Sequence, residues 1–291
     1  MIDLHTHSTA SDGELSPEQL IRQAAAAGIS AIALTDHDTI AGLEPAGKEA
    51  QVQGIRFIPG IEIEISWAPP PGISGAGPGG EFHLLGLGIS RPSPAFLEAI
   101  GELSRLREAR NREILGRMAE LGMAADYEEL KALAGGYSIG RPHFAGLLVN
   151  RKIAGTREQA FARYLSPGKP LYVPKKGLNF DRAVVVIRES GGIPVLAHPM
   201  SLFVAWGRLP ELIRELRDQG LAGLEAWHPS AKPRACRRLE DLARSLGLYV
   251  TEGSDFHGPA LRPGRKIGFS AVNRKIGEEV LEAIGPLYTG A

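Results

Sequence analysis

A chain of 291 residues, 43% hydrophobic and 23% charged, has the composition of a globular protein built on one substantial core, which excludes a disordered tail or linker. Its 33 Lys and Arg balance 33 Asp and Glu, so no general polycationic surface is available to long duplex nucleic acid, while a local phosphate site is compatible with that balance. The single Cys236 excludes a disulfide framework and a multi-cysteine metal knuckle and suits a reducing, cytoplasmic interior; the start MIDLHTHS lacks a basic-then-apolar leader, and no run reaches 18 apolar residues, so neither secretion nor a membrane span is expected.

Met1–Leu4 reads as a first strand. Ser16, Pro17 and Gln19 make a capping-box helix start with proline in the first turn, and the alanine-rich run after them ends at Gly28. Ser30–Thr35 is the next strand, Leu43–Gln53 a helix, Ile55–Ile65 a strand pair around Gly60, and His83–Leu87 another strand. This βαβα rhythm predicts a parallel sheet or barrel with helices outside. The Pro- and Gly-rich run Ala68–Gly80 predicts an exposed loop.

From Ala95 to Leu121 the pattern becomes a long charged helix, with Leu97, Ile100, Leu103, Leu106, Ile114, Met118 and Leu121 near one stripe. Shorter helices follow over Asp126–Leu133, Arg141–Asn150 and Thr156–Leu165. An all-helical stretch within an α/β chain predicts an insertion, dividing the chain into a first barrel part at 1–98, a helical domain at 99–170 and a second barrel part at 171–291. The α/β rhythm then resumes: a helix capped by Asp181, strand Ile193–Ala197, helix Leu209–Gln219, strand Leu224–Trp227, helix Ala235–Leu246 stopped by Gly247, strand Tyr249–Thr251 and a final helix Arg274–Ile284.

Most of the eight histidines stand at the carboxyl end of a predicted strand beside acidic residues, in DLHTH, TDHD, EFHLL, LAHP, EAWHP and SDFH. That edge is where loops converge into sites in α/β folds. Asp3, His5 and His7 share one strand face, which presents two imidazoles to one ion. A lone histidine at a strand end ordinarily reads as a hydrogen-bonded residue; repetition at the same structural position reads as a ligand set. His5, His7, His37, His83, His198 and His257 with Asp12, Glu62 and Asp255 supply nine nitrogen and oxygen donors, enough for two or three divalent ions, and their chemistry suits Mn, Zn or Fe.

DLHTHS at 3–8, Asp12 in the following SDG, TDHD at 35–38, PGIEI at 59–63, His83, AHP at 197–199 and GSDFHG at 253–258 resemble the polymerase and histidinol phosphatase (PHP) phosphoesterases. SIGRPHFAGLLV and YLSPGKPLYVP resemble the stand-alone branch that includes nucleoside 3',5'-bisphosphate phosphatases and 5'-to-3' exoribonucleases acting on short RNA. The resemblance implies a distorted (β/α)7 barrel with a trinuclear metal centre at the carboxyl mouth of the strands, and a helical insertion walling the cleft. It implies that His5, His7, Glu62 and Asp255 hold a first ion, that Glu62 bridges to a second ion held also by His83 and His198, and that Asp12, His37 and His257 hold a third. Arg141 and His143 match residues of that branch that meet phosphate. Lys175 departs from the pattern, standing where the branch commonly has histidine: it supplies positive charge near a phosphate without an imidazole's geometry. His228 borders the substrate, donates to a metal-bound group or caps its own strand.

The implied activity is metal-dependent hydrolysis of a small nucleotide or short oligonucleotide, with no membrane partner. A water acidified between two cations is the expected nucleophile, Arg141 clamps the phosphate oxygens, and His143 or a water protonates the leaving ribose oxygen. Asp3, Asp36 and Asp38 are candidates to orient ligand imidazoles, Asp38 alternatively capping the turn into Thr39. The competing readings are a histidinol-phosphate or other small-molecule phosphatase, against which GRPHFA argues; a non-catalytic regulatory barrel, against which the complete donor set argues; and an amidohydrolase, which would bridge two ions by a lysine where this chain has Glu62.

Overall fold

The computed structural model describes residues 1–67, 80–134 and 138–285. The loop expected over Ala68–Gly80 lies outside the described residues except for Gly80. Seven strands follow one another around the sheet in chain order: β1 (Ile2–Asp3), β2 (Ala31–Leu34), β3 (Arg56–Glu64), β4 (His83–Leu87), β5 (Ile193–Leu196), β6 (Gly223–Trp227) and β7 (Tyr249–Glu252). The ends meet where Thr6 bridges Phe256: Asp255 N–H donates to His5 O at 2.9 Å and His7 N–H to Phe256 O at 2.9 Å. The result is the expected distorted seven-stranded α/β barrel, nearly closed and surrounded by helices.

It is not wholly parallel. Ile55–Ile65, expected as two strands, is dominated by the single strand β3, whose two halves pair differently. Arg56–Pro59 run parallel to β2, and Gly60–Glu64 run antiparallel to β4. A Cβ on Gly60 would lie 2.9 Å from Thr35 Cγ2 and 3.1 Å from Gly86 O, so glycine allows both neighbours to close in at the changeover. No helix intervenes between β3 and β4 among the described residues, and β4 runs against both β3 and β5. His83 therefore stands at the amino end of its strand, correcting its expected carboxyl-end position, yet reversal of β4 puts it at the same mouth as the carboxyl ends of the others.

Helices α1 (Pro17–Ala26) and α2 (Leu43–Gln53) alternate with the first strands, and the Ser16 capping box is present, with Ser16 Oγ accepting from Gln19 N and Gln19 Oε1 from Ser16 N. The insertion comprises α3 (Pro94–Glu120), α4 (Tyr127–Leu133), α5 (Arg141–Asn150) and α6 (Arg157–Ala160), the last running into a π-helical turn over Phe161–Leu165. Helix α3 belongs to two cores. Its Phe96, Ala99 and Leu103 pack with Ile61 and Phe82 of the barrel, while Ile114 and Met118 join Leu130, Phe144 and Leu165 in a separate cluster. Leu97 and Leu121, expected on the buried stripe, are 51% and 49% exposed because the stripe passes through Phe96 and Ala99 instead.

Helices α7 (Phe180–Glu189), α8 (Leu209–Asp218) and α9 (Pro233–Ser245) complete the outer layer with a short α10 (Glu279–Ile284). Asn179, not Asp181, occupies the cap of α7, and Asp181 falls in its first turn. The final helix begins later than expected because Lys275 bridges Phe269 and the Ile276 N–H donates to Gly268 O, which holds the chain out of the helix after the 3-10 turn over Ala271–Asn273. Among the described residues no helix is long and apolar enough to cross a membrane.

Candidate metal centre

Glu62, on β3 and 1% exposed, is ringed by five imidazoles. Its Oε1 lies 2.8 Å from His198 Nε2 and 2.9 Å from His83 Nδ1. Its Oε2 lies 3.0 Å from His37 Nδ1, 3.3 Å from His7 Nε2 and 3.4 Å from His5 Nε2. Four elements converge here for local reasons: alternation along residues 5–7 points both imidazoles inward, Gly60 brings β4 close, and the chain turns sharply at His198 with φ of 27°. Burial pushes the Glu62 carboxyl up, but the fields of His37, His83 and His5 win and hold it well below the usual range.

Asp255 makes a second focus, also at positive φ. Its Oδ1 lies 3.2 Å from His257 Nδ1, 3.3 Å from His7 Nε2 and 3.7 Å from His5 Nε2. Its Oδ2 lies 3.1 Å from His228 Nε2 and is met by Arg262 and Arg265. A third focus is Asp12, whose Oδ1 is 3.3 Å from His257 Nε2 and 3.9 Å from both His7 Nδ1 and His37 Nε2.

The donor chemistry fits divalent cations. His7 Nδ1 and His257 Nε2 are buried without a hydrogen-bond partner among the described residues, and both face Asp12. Four overlapping groups have ligand atoms within 4.8 Å of one another: His7, Asp12, His37 and His257; His5, His7 and Asp255; His5, Glu62 and His198; and His37, Glu62 and His83. All nine expected donors are gathered, with His5, His7, His37 and Glu62 each shared between two groups rather than confined to one. Nitrogen and carboxylate oxygen without thiolate match Zn, Mn or Fe.

The carboxylates that orient imidazoles are not those expected. Asp3 accepts from the backbone N–H groups of His5, Ser254 and Gly268. Asp36 accepts from Ser8 and Ser11, and Asp38 from the Glu64 N–H and the Arg107 side chain. Asp38 thus clamps α3 to the barrel instead of capping the turn at Thr39. The carboxylates beside ligand imidazoles are Glu225, 3.0 Å from His5 Nδ1, and Glu64, 3.0 Å from His83 Nε2. Both were legible in principle, as acids on inward-facing positions of otherwise apolar strands.

A cavity of about 300 Å³ opens over the cluster, lined by Asp12, Glu62 and Asp255 and by a set of cations. Arg141 lines it and pairs with Glu81 at 3.2 Å. Lys175 lines it too, donating to Glu64 at 2.6 Å, with Glu81 at 3.6 Å. His228 sits between Asp255 and Ser230 in the wall. His143 lines a neighbouring cavity with Asp12 and Pro142, and its Nδ1 accepts the Gly140 N–H at 2.9 Å. Arg107, Arg110, Arg262 and Arg265 were missed. Arg107 and Arg110 carried a signal: they continue the spacing of Leu103 and Ile114 on the inward side of α3.

A nearly closed α/β barrel with histidine and carboxylate donors gathered at one mouth defines a metal-dependent phosphoesterase of the PHP type. The family model for the PHP domain matches residues 3–163, and the chain belongs to that family. It is 34% identical over 273 residues, 92% of this chain and 90% of the other, to a 5'-3' exoribonuclease Rnm of Salmonella typhimurium. It is 33% identical over 268 residues, again 92% and 90% of the two chains, to a 3',5'-nucleoside bisphosphate phosphatase of Chromobacterium violaceum. A solved amidohydrolase of Chromobacterium violaceum with bound sulfate has a TM-score of 0.82 at 31% identity, covering 97% of this chain and 96% of that one.

Proposed function

We propose that the chain hydrolyses phosphate esters of nucleotides in the cytoplasm, removing the 3'-phosphate of nucleoside 3',5'-bisphosphates, degrading short RNA from its 5' end, or both. The observation that carries this reading is the direct opening of a cation-lined cavity onto the cluster around Glu62. Two or three divalent ions, Mn, Zn or Fe, would be held there: one by His5, His7, Glu62 and Asp255, one by Glu62, His83 and His198, and one by Asp12, His37 and His257. Such ions supply Lewis acidity toward phosphoryl oxygens and acidify water.

The chain's own groups bind and orient. Arg141, at the first turn of α5, directs a guanidinium fork at the non-bridging oxygens. His143 has Nδ1 occupied by the Gly140 N–H, which leaves its proton on Nε2, the nitrogen able to donate a hydrogen bond to a departing ribose oxygen. Lys175, fixed by Glu64, adds positive charge to the wall, and His228 positions Asp255. Residues 99–170 form a cleft wall as a unit distinct from the barrel parts at 1–98 and 171–291, supplying Arg107, Arg110, Arg141 and Phe161. Glu62 stands where an amidohydrolase would bridge through lysine, which supports the phosphoesterase reading.

The test is a panel assayed with Mn: 3',5'-bisphosphoadenosine, short 5'-phosphorylated RNA and histidinol phosphate side by side. The proposal expects a higher kcat/KM for at least one of the first two. A preference for histidinol phosphate, or no hydrolysis of any ester, contradicts it.

A further inference from the structure

Asp255 attracts more donors than its outer oxygen can serve. His228 Nε2 at 3.1 Å, Arg262 Nη1 at 3.3 Å and Arg265 Nη1 all meet Oδ2, while Oδ1 faces His5, His7 and His257. A carboxylate oxygen has two lone pairs, so one of the three donors is in excess. Arg265 is committed: its Nη1 also donates to the Asp255 carbonyl at 2.9 Å, and its side chain is 15% exposed. Arg262 is the spare group. Its contact with Oδ2 is the longest of the three, it makes no other side-chain hydrogen bond among the described residues, and its side chain is 42% exposed in the wall of the cavity.

The loop that presents Arg262 is fixed to the donor cluster. Glu14, just beyond Asp12, donates its N–H to His257 O at 2.7 Å and accepts the Ala260 N–H at Oε2 at 2.9 Å. Gly258, at φ of 112°, makes room for this clasp, since a Cβ there would lie 2.3 Å from Glu14 Cβ. The Arg262 N–H then donates to Gly258 O at 3.0 Å, so the side chain starts from a turn tied to the segment that carries Asp12. Burial lowers the Arg262 pKa, but Asp255, Asp12, Glu62 and Glu81 together raise it, which places the guanidinium in the field of carboxylates all around the cavity. Glu81 is also the partner of Arg141, so guanidinium groups from the barrel loop and from α5 both reach the space over Glu62.

We infer that Arg262 is a catalytic residue, which leaves Asp255 for the phosphate being cleaved and holds its non-bridging oxygens as the bonds exchange. This rests on the phosphoesterase reading above and adds to it a group from the barrel side of the cavity. In the hydrolysis a water oxygen bonds to phosphorus, and the bond from phosphorus to the ribose oxygen breaks with its electron pair staying on that oxygen. One water proton stays with the phosphate and the other ends on the ribose oxygen. Charge is carried meanwhile by the equatorial oxygens, which a two-pronged donor fits. A guanidinium on a preformed loop meets that charge with little rearrangement, and Asp255 keeps Arg265 and His228 when Arg262 departs.

The test compares the Mn-loaded full chain with its Arg262→Gln and Arg262→Lys variants on 3',5'-bisphosphoadenosine and on a small aryl phosphate. Orthovanadate, which copies the five-coordinate geometry of the reacting phosphorus, is set beside inorganic phosphate as an inhibitor. Arg262→Gln is expected to lose about ten- to a thousandfold in kcat on both substrates with KM little changed, and Arg262→Lys to recover part of the loss. The inhibition constant of orthovanadate should rise by about tenfold or more, and that of inorganic phosphate much less. Manganese stoichiometry and affinity in chelator competition should match wild type, because Asp255 keeps its other donors. An unchanged kcat overturns the inference, as does a loss of rate that follows lost manganese, or an equal rise in the two inhibition constants. If wild type hydrolyses neither ester, the functional reading fails separately; calorimetric binding of orthovanadate then decides, weaker binding to Arg262→Gln supporting the contact and equal binding to both proteins overturning it.

Discussion

Glu225 Oε1 lies 3.0 Å from His5 Nδ1, and Glu225 Oε2 accepts the His198 backbone N–H at 2.7 Å. One buried carboxylate from β6 therefore fixes the ring of a residue beyond β1 and the backbone of a residue beyond β5. The contact with Nδ1 turns His5 Nε2 toward Glu62 and His7. Glu225→Gln should lower the affinity for Zn or Mn by about ten- to a hundredfold while the protein stays folded. Chelator competition measures it, and an unchanged affinity would remove Glu225 from this role.

Gly253, the first residue of GSDFHG, makes that pairing possible. A Cβ there would collide with His5 Cβ and come 2.7 Å from Glu225 Oε1. Gly253→Ala should displace the His5 ring and reduce bound metal without altering any donor. Elemental analysis reads the result; full occupancy in the variant would show that the site tolerates the displacement.

Glu62→Gln should reduce turnover by about a hundredfold or more, because the carboxylate stands between two proposed ions and the amide withdraws its charge. Circular dichroism should stay native-like, since the barrel clusters do not depend on this side chain. Activity above about a tenth of wild type contradicts the bridging role.

The His143 pKa lies below the ordinary histidine value of 6.5: burial lowers it, and although Asp12 pulls the other way, Arg157 and Arg107 add to the lowering. Protonating Nδ1 would also remove the acceptor for the Gly140 N–H. With the folded pKa below the unfolded one, the unfolded chain takes up the proton first. The stabilising contribution is full above about 6.5 and is lost as pH falls below it. An NMR titration of the ring in the zinc-loaded protein should give a midpoint below 6.5, and a midpoint at or above that value contradicts the buried, capping arrangement.

What the sequence disclosed depended on how local the cause was. The Ser16 capping box, the bounds of α5 and the inward alternation of His5 and His7 follow from neighbouring residues, and the first two appear in the structure as read. The reversal of β4 depends on how β3 changes partners at Gly60, a long-range matter that the βαβα rhythm concealed. Arg107 and Arg110 continue the inward stripe of α3, but the cavity they face exists only once that helix is packed over the barrel mouth. Glu225 stands out in the sequence as an acid in an apolar strand, but its role follows only from the fold, which places His5 beside it from 220 residues away in the chain.

The central claim is a polynuclear metal centre around Glu62. Anomalous scattering from crystals of protein prepared without chelator and saturated with Mn or Zn, combined with elemental stoichiometry, tests it most directly. The account predicts two or three ions per chain, with Glu62 between two of them and Asp12 beside His257 at another. One ion per chain or none, at saturation, would contradict it.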